Sequence, residues 1–319
     1  MSRPLVIFTE HLDRDAEAWL HERCEVESCP VQDGARLRER LKGAHGLIVR
    51  TYTRVDAALL DAAPTLRVVG RAGVGLDNID VAECRRRGIE VVHTPDANGD
   101  AVAEYVFAML LADVRPMRYI DAPMAPEAWH ALRKRVVMPR QLREMTLGIL
   151  GLGKIGRRVA RIARGFEMTA IYHDLVEIPE AERHGAIPVL RDELFARADV
   201  LTIHVDHRAR NRHLINAATL TQVKPEVILI NTSRGMVVDH AALAEFLRRH
   251  ATARALLDVH DPEPIEADHP LLGLANARLA PHLAAATKRA HANMSWVVRD
   301  VWRVLRGEKA EFGATECGE

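Results

Sequence analysis

The chain carries no net charge, with 44 Lys and Arg against 44 Asp and Glu. That balance excludes a whole-protein field for nucleic acid or an anionic membrane, so any anion site has to be local. No apolar run approaches the roughly 18 residues that a bilayer crossing needs. The N-terminus, MSRPLVIFTEHLDRD, turns acidic after only about five apolar residues, too few for a signal-peptide core. Cysteine is scarce, at Cys24, Cys29, Cys84 and Cys317, with no CxxC pair. This usage reads as reduced thiols in a cytoplasmic protein, with zinc binding as the alternative; no metal site is expected. Internal repeats and low-complexity segments are missing too.

What is there is ordinary globular composition, 48% hydrophobic and 28% charged over 319 residues, about two domains in length. Two series of short apolar runs alternate with helix-like stretches, which argues for parallel α/β sheets. The first series is LVIF (5–8), GLIV (46–49), LRVVG (66–70) and IEVVH (89–93). RLRERL, VDAALLDAAP and VAECRRRG lie between them with helical spacing. The second is TLGIL (146–150), TAIYH (169–173), DVLTIHV (199–205), VILIN (227–231), ALLDV (255–259) and ARLA (277–280). AVAEYVFAMLLADV (101–114) is apolar on nearly every face and predicts a buried helix. The stretch 284–307 predicts one long helix with Met294, Val297, Val301, Trp302 and Leu305 on its core side. Arg133-Lys134-Arg135 reads as a solvated loop.

The segment TLGILGLGKIGRRVARIARGFEMTAIYHD holds GxGxxG at Gly151, Gly153 and Gly156, after a strand and before a helix. A second strand ends near Asp174. This is the arrangement a dinucleotide needs. Gly151 permits the turn, Gly153 lets the backbone approach a pyrophosphate, and Gly156 lets helix and strand lie close. The helix N-terminus, beginning at Lys154 and Ile155, offers N–H groups to the phosphates. Asp174 suits ribose hydroxyls and repels a 2′-phosphate, which favours NAD over NADP. On these residues alone, FAD or S-adenosylmethionine stays open.

Three later segments, INTSRGMVVDHAAL (230–243), ALLDVHDPEP (255–264) and LAPHLAAAT (279–287), each pass from a predicted strand into a loop with a charged or titratable residue. Ligands of open α/β sheets bind at the carboxyl ends of strands. Arg234, Asp258, Glu263 and His282 are therefore expected to converge there. The set suits hydride transfer to a carbonyl. Imidazolium supplies the proton, a carboxylate holds the ring, and guanidinium grips a substrate carboxylate.

These motifs, with LIVRTYTRVDAALLDAAPTLRVVGRAGVGLDNIDV (47–81) and IEVVHTPDANGDAVAEYV (89–106), run in order along nearly the whole chain. It resembles the D-isomer-specific 2-hydroxyacid dehydrogenases, most closely phosphoglycerate dehydrogenase-like and hydroxypyruvate reductase-like members. The resemblance implies two Rossmann-like α/β domains with parallel sheets, one flavodoxin-like and one NAD-binding, with the active site in a cleft between them. The substrate domain is expected at 1–98 plus 286–319 and the NAD domain at 99–285. Catalytic residues are Arg234, Glu263 (chosen over Asp261 as the glutamate directly before proline) and His282. Cofactor contacts extend to His204, Thr232 and Ser233, with Asp258 on the nicotinamide carboxamide. Backbone N–H groups near Val74 and Gly75 are to bind the substrate carboxylate, with Arg50 and Asn98 bordering the substrate.

The resemblance further implies a small-molecule 2-keto or 2-hydroxy acid substrate, a homodimer through the NAD domain, and no C-terminal regulatory domain. The sequence departs from the pattern at His260, where Phe is usual, at HVDHRA (204–209), at Gly99-Asp100-Ala101 and over 115–143. Two other readings remain: a non-catalytic NAD-sensing scaffold, and an NAD-dependent formate- or phosphite-type dehydrogenase.

Overall fold

The structure, a computed structural model, describes residues 3–314. The chain divides into two compact units, Met1–Asn98 with Ala285–Glu319, and Gly99–Ala284. Ala285 therefore falls in the first unit and not the second. The turn before it is tied to Asp258 of the second unit, through amides that end at Ala284.

The first unit is a five-stranded parallel sheet of β1 (Leu5–Phe8), β2 (Glu25–Ser28), β3 (Gly46–Val49), β4 (Val68–Arg71) and β5 (Glu90–His93). The order is β2-β1-β3-β4-β5. β2 was not expected, since EVES is an edge strand with no fully buried residue and so no apolar run. Four of the intervening helices start on an aspartate (Asp13, Asp33, Asp56, Asp80) whose carboxylate accepts a first-turn N–H. The C-terminal stretch forms two helices, Lys288–Ser295 and Val298–Leu305, where one was expected. The Ser295 hydroxyl donates back to the His291 carbonyl, and the next turn tightens to i→i−3 bonds. Val297, Val298, Val301 and Leu305 join the core against β1, β3 and β4. Gly70 makes room there, because a Cβ on it would lie 2.5 Å from Val301.

The second unit is a seven-stranded parallel sheet. Its strands are β6 (Thr146–Leu150), β7 (Thr169–His173), β8 (Ile187–Pro188), β9 (Val200–Ile203), β10 (Ile228–Asn231), β11 (Arg254–Leu257) and β12 (Ala277–Leu279). The order β12-β11-β10-β9-β6-β7-β8 reverses between β6 and β9. That reversal leaves a crevice at the carboxyl ends of the two strands, where ligands bind in such sheets. Two apolar layers cover the faces, one built on Phe195, Leu201, Leu229 and Leu257, the other on Leu147, Ile149, Val159 and Ile230. Helix Gly99–Val114 is buried along seven residues, as its apolar sequence requires. Arg133-Lys134-Arg135 is exposed but helical, closing helix Pro126–Arg135, where three cations suit the negative C-terminal end.

Among the described residues, no helix is long and apolar enough to cross a membrane. Cys24, Cys29 and Cys84 are buried and free. Burial pushes the thiols of Cys24 and Cys84 up to about 11. Cys317 lies outside the described residues.

Candidate active site

Because every strand of the second sheet is parallel, the loops that follow β6, β9, β10, β11 and β12 leave the same edge. The glycine turn comes first. Gly151 has φ +93, and a Cβ there would meet the His204 carbonyl oxygen at 2.7 Å. Gly156 carries the opening turn of helix Lys154–Gly165 onto the Gly151 carbonyl, which a Cβ would strike at 2.2 Å. Gly153 differs from both. A Cβ on it would meet nothing within 4 Å, and it caps the helix with no side-chain hydrogen bond. Gly153 thus leaves open space at the start of a helix with no acidic residue in its first turn, room for a phosphate to approach the first-turn N–H groups.

Asp174 follows β7 directly. It accepts from the Leu152 N–H at 2.6 Å and the Val176 N–H at 3.1 Å, so it also braces the glycine turn. A carboxylate has about four acceptor positions, which leaves capacity for a diol. It lines a cavity of about 280 Å³ with Tyr172, Leu175, Val176 and Arg183.

Across the crevice, His204 follows β9. Its Nε2 lies 2.9 Å from the Thr202 hydroxyl, and its Nδ1 is buried without a partner. Burial brings this ring down to about 3, so it stays neutral at physiological pH. Thr232, after β10, likewise buries a hydroxyl with no partner. Orphaned polar atoms of this kind need a ligand or water. With the open glycine turn and Asp174, they fit a dinucleotide.

The turn Asn231–Arg234 is organised by a residue to which sequence reasoning gave no role. Asn231 is fully buried, accepts from the N–H and hydroxyl of Ser233, and donates to the Arg234 carbonyl at 2.9 Å. The asparagine of the motif was visible; its task was not. Arg234 leaves this turn half-buried and donates to the Ser233 carbonyl at 2.7 Å.

Glu263 and His282 meet. Glu263 Oε2 accepts from His282 Nδ1 at 2.8 Å, and Oε1 accepts from the His260 N–H at 2.8 Å. Burial by itself would raise the Glu263 carboxyl, but these hydrogen bonds take it below the usual carboxylate range. An ionised Glu263 fixes the proton of His282 on Nδ1 and leaves Nε2 to exchange a proton. Asp261, the rejected neighbour, instead pairs with Arg212 at 3.3 Å.

His282 has φ +58, a left-handed backbone that a side chain rarely adopts. Asp258 holds it there. Its carbonyl accepts the His282 N–H at 2.9 Å, and its carboxylate oxygens accept the Leu283 and Ala284 N–H groups at 2.7 and 2.8 Å. Asp258 is 0% exposed. The strand end and the 280–284 turn close over the carboxylate, whose two oxygens face main-chain amides. Burial outweighs those bonds and raises its carboxyl.

Asp100, one of the sequence departures, pairs with Arg158 at 2.7 Å in the opening turn of its helix.

In the first unit, Arg50 follows β3 and Val74 and Gly75 follow β4, all half-buried. The Val74 carbonyl accepts from His93 Nδ1 at 2.8 Å, and the Gly73 carbonyl accepts from the Thr94 N–H and hydroxyl. Arg50 donates to the His11 carbonyl at 3.3 Å, and burial lowers its guanidinium. Sequence reasoning missed Glu10. After β1, its carboxylate accepts the N–H groups of Arg50, Thr51, Tyr52 and Thr53 at 2.8–3.2 Å, fixing the loop that presents Arg50. A lone Glu after a strand carried no signal for this. Asn98 is half-buried at the end of the first unit's N-terminal segment.

A doubly wound sheet with an uncapped glycine turn at its switch point, and a Glu–His pair at its far strands, defines a dinucleotide-binding protein equipped for acid–base chemistry. Residues 107–284 match the family model described as D-isomer specific 2-hydroxyacid dehydrogenase, NAD binding domain. The glyoxylate reductase of Aeropyrum pernix is 36% identical over 311 residues, covering 94% of this chain and 92% of that protein. The D-3-phosphoglycerate dehydrogenase of Archaeoglobus fulgidus is 34% identical over 305 residues, 95% of this chain, which spans only 57% of that protein. Among solved structures, D-lactate dehydrogenase from Aquifex aeolicus, complexed with NAD and lactic acid, aligns with a TM-score of 0.80 at 28% identity, covering 95% of this chain and 96% of that one. The chain belongs to the D-isomer specific 2-hydroxyacid dehydrogenase family, and its second unit contains the NAD-binding domain.

Proposed function

We propose that this protein interconverts a 2-keto acid and a D-2-hydroxy acid with NAD. The observation that carries the reading is the 2.8 Å bond between Glu263 and His282, on loops that leave the same sheet edge as the glycine turn. Bound NADH supplies the hydride. As the substrate carbonyl oxygen gains charge, His282 Nε2 delivers the proton, and Glu263 holds the ring through Nδ1. Arg234 binds the substrate carboxylate and polarises the carbonyl. The Val74 and Gly75 amides are assigned to the substrate carboxylate, and Arg50 and Asn98 to its side chain. Gly151, Gly153, Lys154, Ile155 and Gly156 bind the pyrophosphate, Asp174 the ribose, and His204, Thr232 and Ser233 the rest of the cofactor. The carboxylate of Asp174 favours NAD over NADP, since a 2′-phosphate would meet like charge.

The reading also includes a cytoplasmic homodimer formed through the second unit. Met117, Tyr119, Ile120, Trp129 and Val137 are exposed there, beside a cavity of about 1200 Å³, an apolar patch of the kind that marks an interface.

The test is NADH oxidation across glyoxylate, hydroxypyruvate, phosphohydroxypyruvate, pyruvate and branched 2-keto acids, with His282→Ala beside the wild type. Turnover of at least one acid by the wild type, and its loss in the variant with NADH binding retained, is expected. Near-normal turnover by His282→Ala overturns the assignment.

A further inference from the structure

Three buried histidines, His240, His260 and His269, cluster behind the Glu263 and His282 loops, with ring centroids 4.8–6.3 Å apart. His269 Nε2 and His240 Nδ1 lie 3.0 Å apart, so one donates to the other. His260 is the member that reaches the site. Its N–H donates to Glu263 Oε1 at 2.8 Å. Its ring Nε2 lies 2.9 Å from the Ala280 carbonyl, two residues before His282. A carbonyl only accepts, so Nε2 carries the proton. On its third side the His260 main chain meets Gly235, where an added Cβ would come within 2.0 Å of the His260 carbonyl. One buried residue therefore touches the loops of Arg234, Glu263 and His282.

We propose that His260 is a positioning residue: its main chain holds Glu263, its ring holds the turn that carries His282, and together they set the reach of the acid–base pair. A hydrophobic ring in its place would fill the space and keep the main-chain contacts. It would still release Ala280, and with it one tether on a turn whose left-handed His282 needs every tether it has. This deepens the proposed reaction and rests on Glu263 and His282 being its acid–base pair.

The experiment compares His260→Phe, which removes the ring donor, with His260→Gln, whose side-chain amide reaches about as far as the ring Nε2. Turnover is expected to fall about tenfold in the Phe variant, the loss of roughly one net hydrogen bond. NADH affinity should hold, and the Gln variant should recover most of the turnover. A second readout is the acid limb of kcat/KM. Glu263 faces His282 and the His260 N–H, with Asp258 behind the turn. When His282 is less well held, Glu263 loses its donor and the limb moves to higher pH. A residue that only fills space would lower the melting temperature and leave the limb in place.

Where the Phe variant does not fold, His260→Asn serves in its stead, since its shorter amide falls short of Ala280. Wild-type turnover and an unmoved limb in a folded Phe or Asn variant overturn the proposal. Failure of the underlying reaction shows elsewhere, as an active His282→Ala.

Discussion

Gly153 is the sharpest place to separate cofactor binding from folding. At Gly156 an added Cβ strikes the Gly151 carbonyl at 2.2 Å, with Ile149 at 3.3 Å, so Gly156→Ala overpacks a backbone contact. Such overpacking costs about 1–3 kcal/mol. At about 2–4 °C per kcal/mol for a unit of this size, melting should fall by several degrees. Gly153 has φ −71, ordinary for alanine, and its Cβ would touch nothing in the protein. Alanine there gains about 0.4–1 kcal/mol from a less flexible unfolded chain and loses a similar amount, on the order of 0.5–1 kcal/mol, as a poorer helix cap. The melting temperature of the unliganded variant should therefore stay within a degree or two of wild type, by the same scaling.

The methyl group would instead occupy the space a pyrophosphate needs to reach the first-turn amides. Losing one charge-assisted hydrogen bond of about 1.5–3 kcal/mol weakens NADH by roughly 10- to 100-fold. Fluorescence titration of NADH and thermal melts of both variants test this. If Gly153→Ala binds NADH as wild type does, the open space at Gly153 is not the phosphate site. If it melts as low as Gly156→Ala, the steric argument fails.

Two further outcomes follow from other parts of the molecule. Burial, helped by its histidine neighbours, brings His240 from 6.5 to about 4. The folded state therefore refuses a proton that the unfolded chain accepts. The stability from this group is present above pH 6.5 and is lost as pH falls towards 4, on the order of 3 kcal/mol in all. Urea midpoints at pH 7 and 4.5 should differ by less in His240→Phe; an unchanged difference would rule this group out. Ile120→Glu, on the exposed patch, should convert a dimer to a monomer in sedimentation velocity with melting of the monomer unit little changed, whereas a monomeric wild type would end the dimer reading.

Much of the site was legible because its signals are local. GxGxxG between a strand and a helix, Asp174 at the next strand end, and titratable residues just past three predicted strands are all read within short windows. Other features were invisible for the opposite reason. β2 is a polar edge strand, and Glu10 gathers amides some 40 residues away. The break at Trp296 depends on a serine hydroxyl turning back on its own helix.

Asp258 shows where the division falls. Its position after an apolar strand marked it as a candidate site residue, and in the fold it holds the turn that carries His282. Which groups its carboxylate meets was decided by the 280–284 turn folding over it, because a buried carboxylate binds whatever donors the tertiary structure brings. His260 is the same case, since nothing near it in sequence says that its ring ends on Ala280. The sequence by itself determined the alternation of strands and helices, the glycine turn and the chemical character of Arg234, Glu263 and His282, because backbone sterics and side-chain chemistry act at short range. Only the tertiary structure decided that His282 points Nδ1 at Glu263 from a left-handed turn, because that conformation is held by hydrogen bonds from a different strand end.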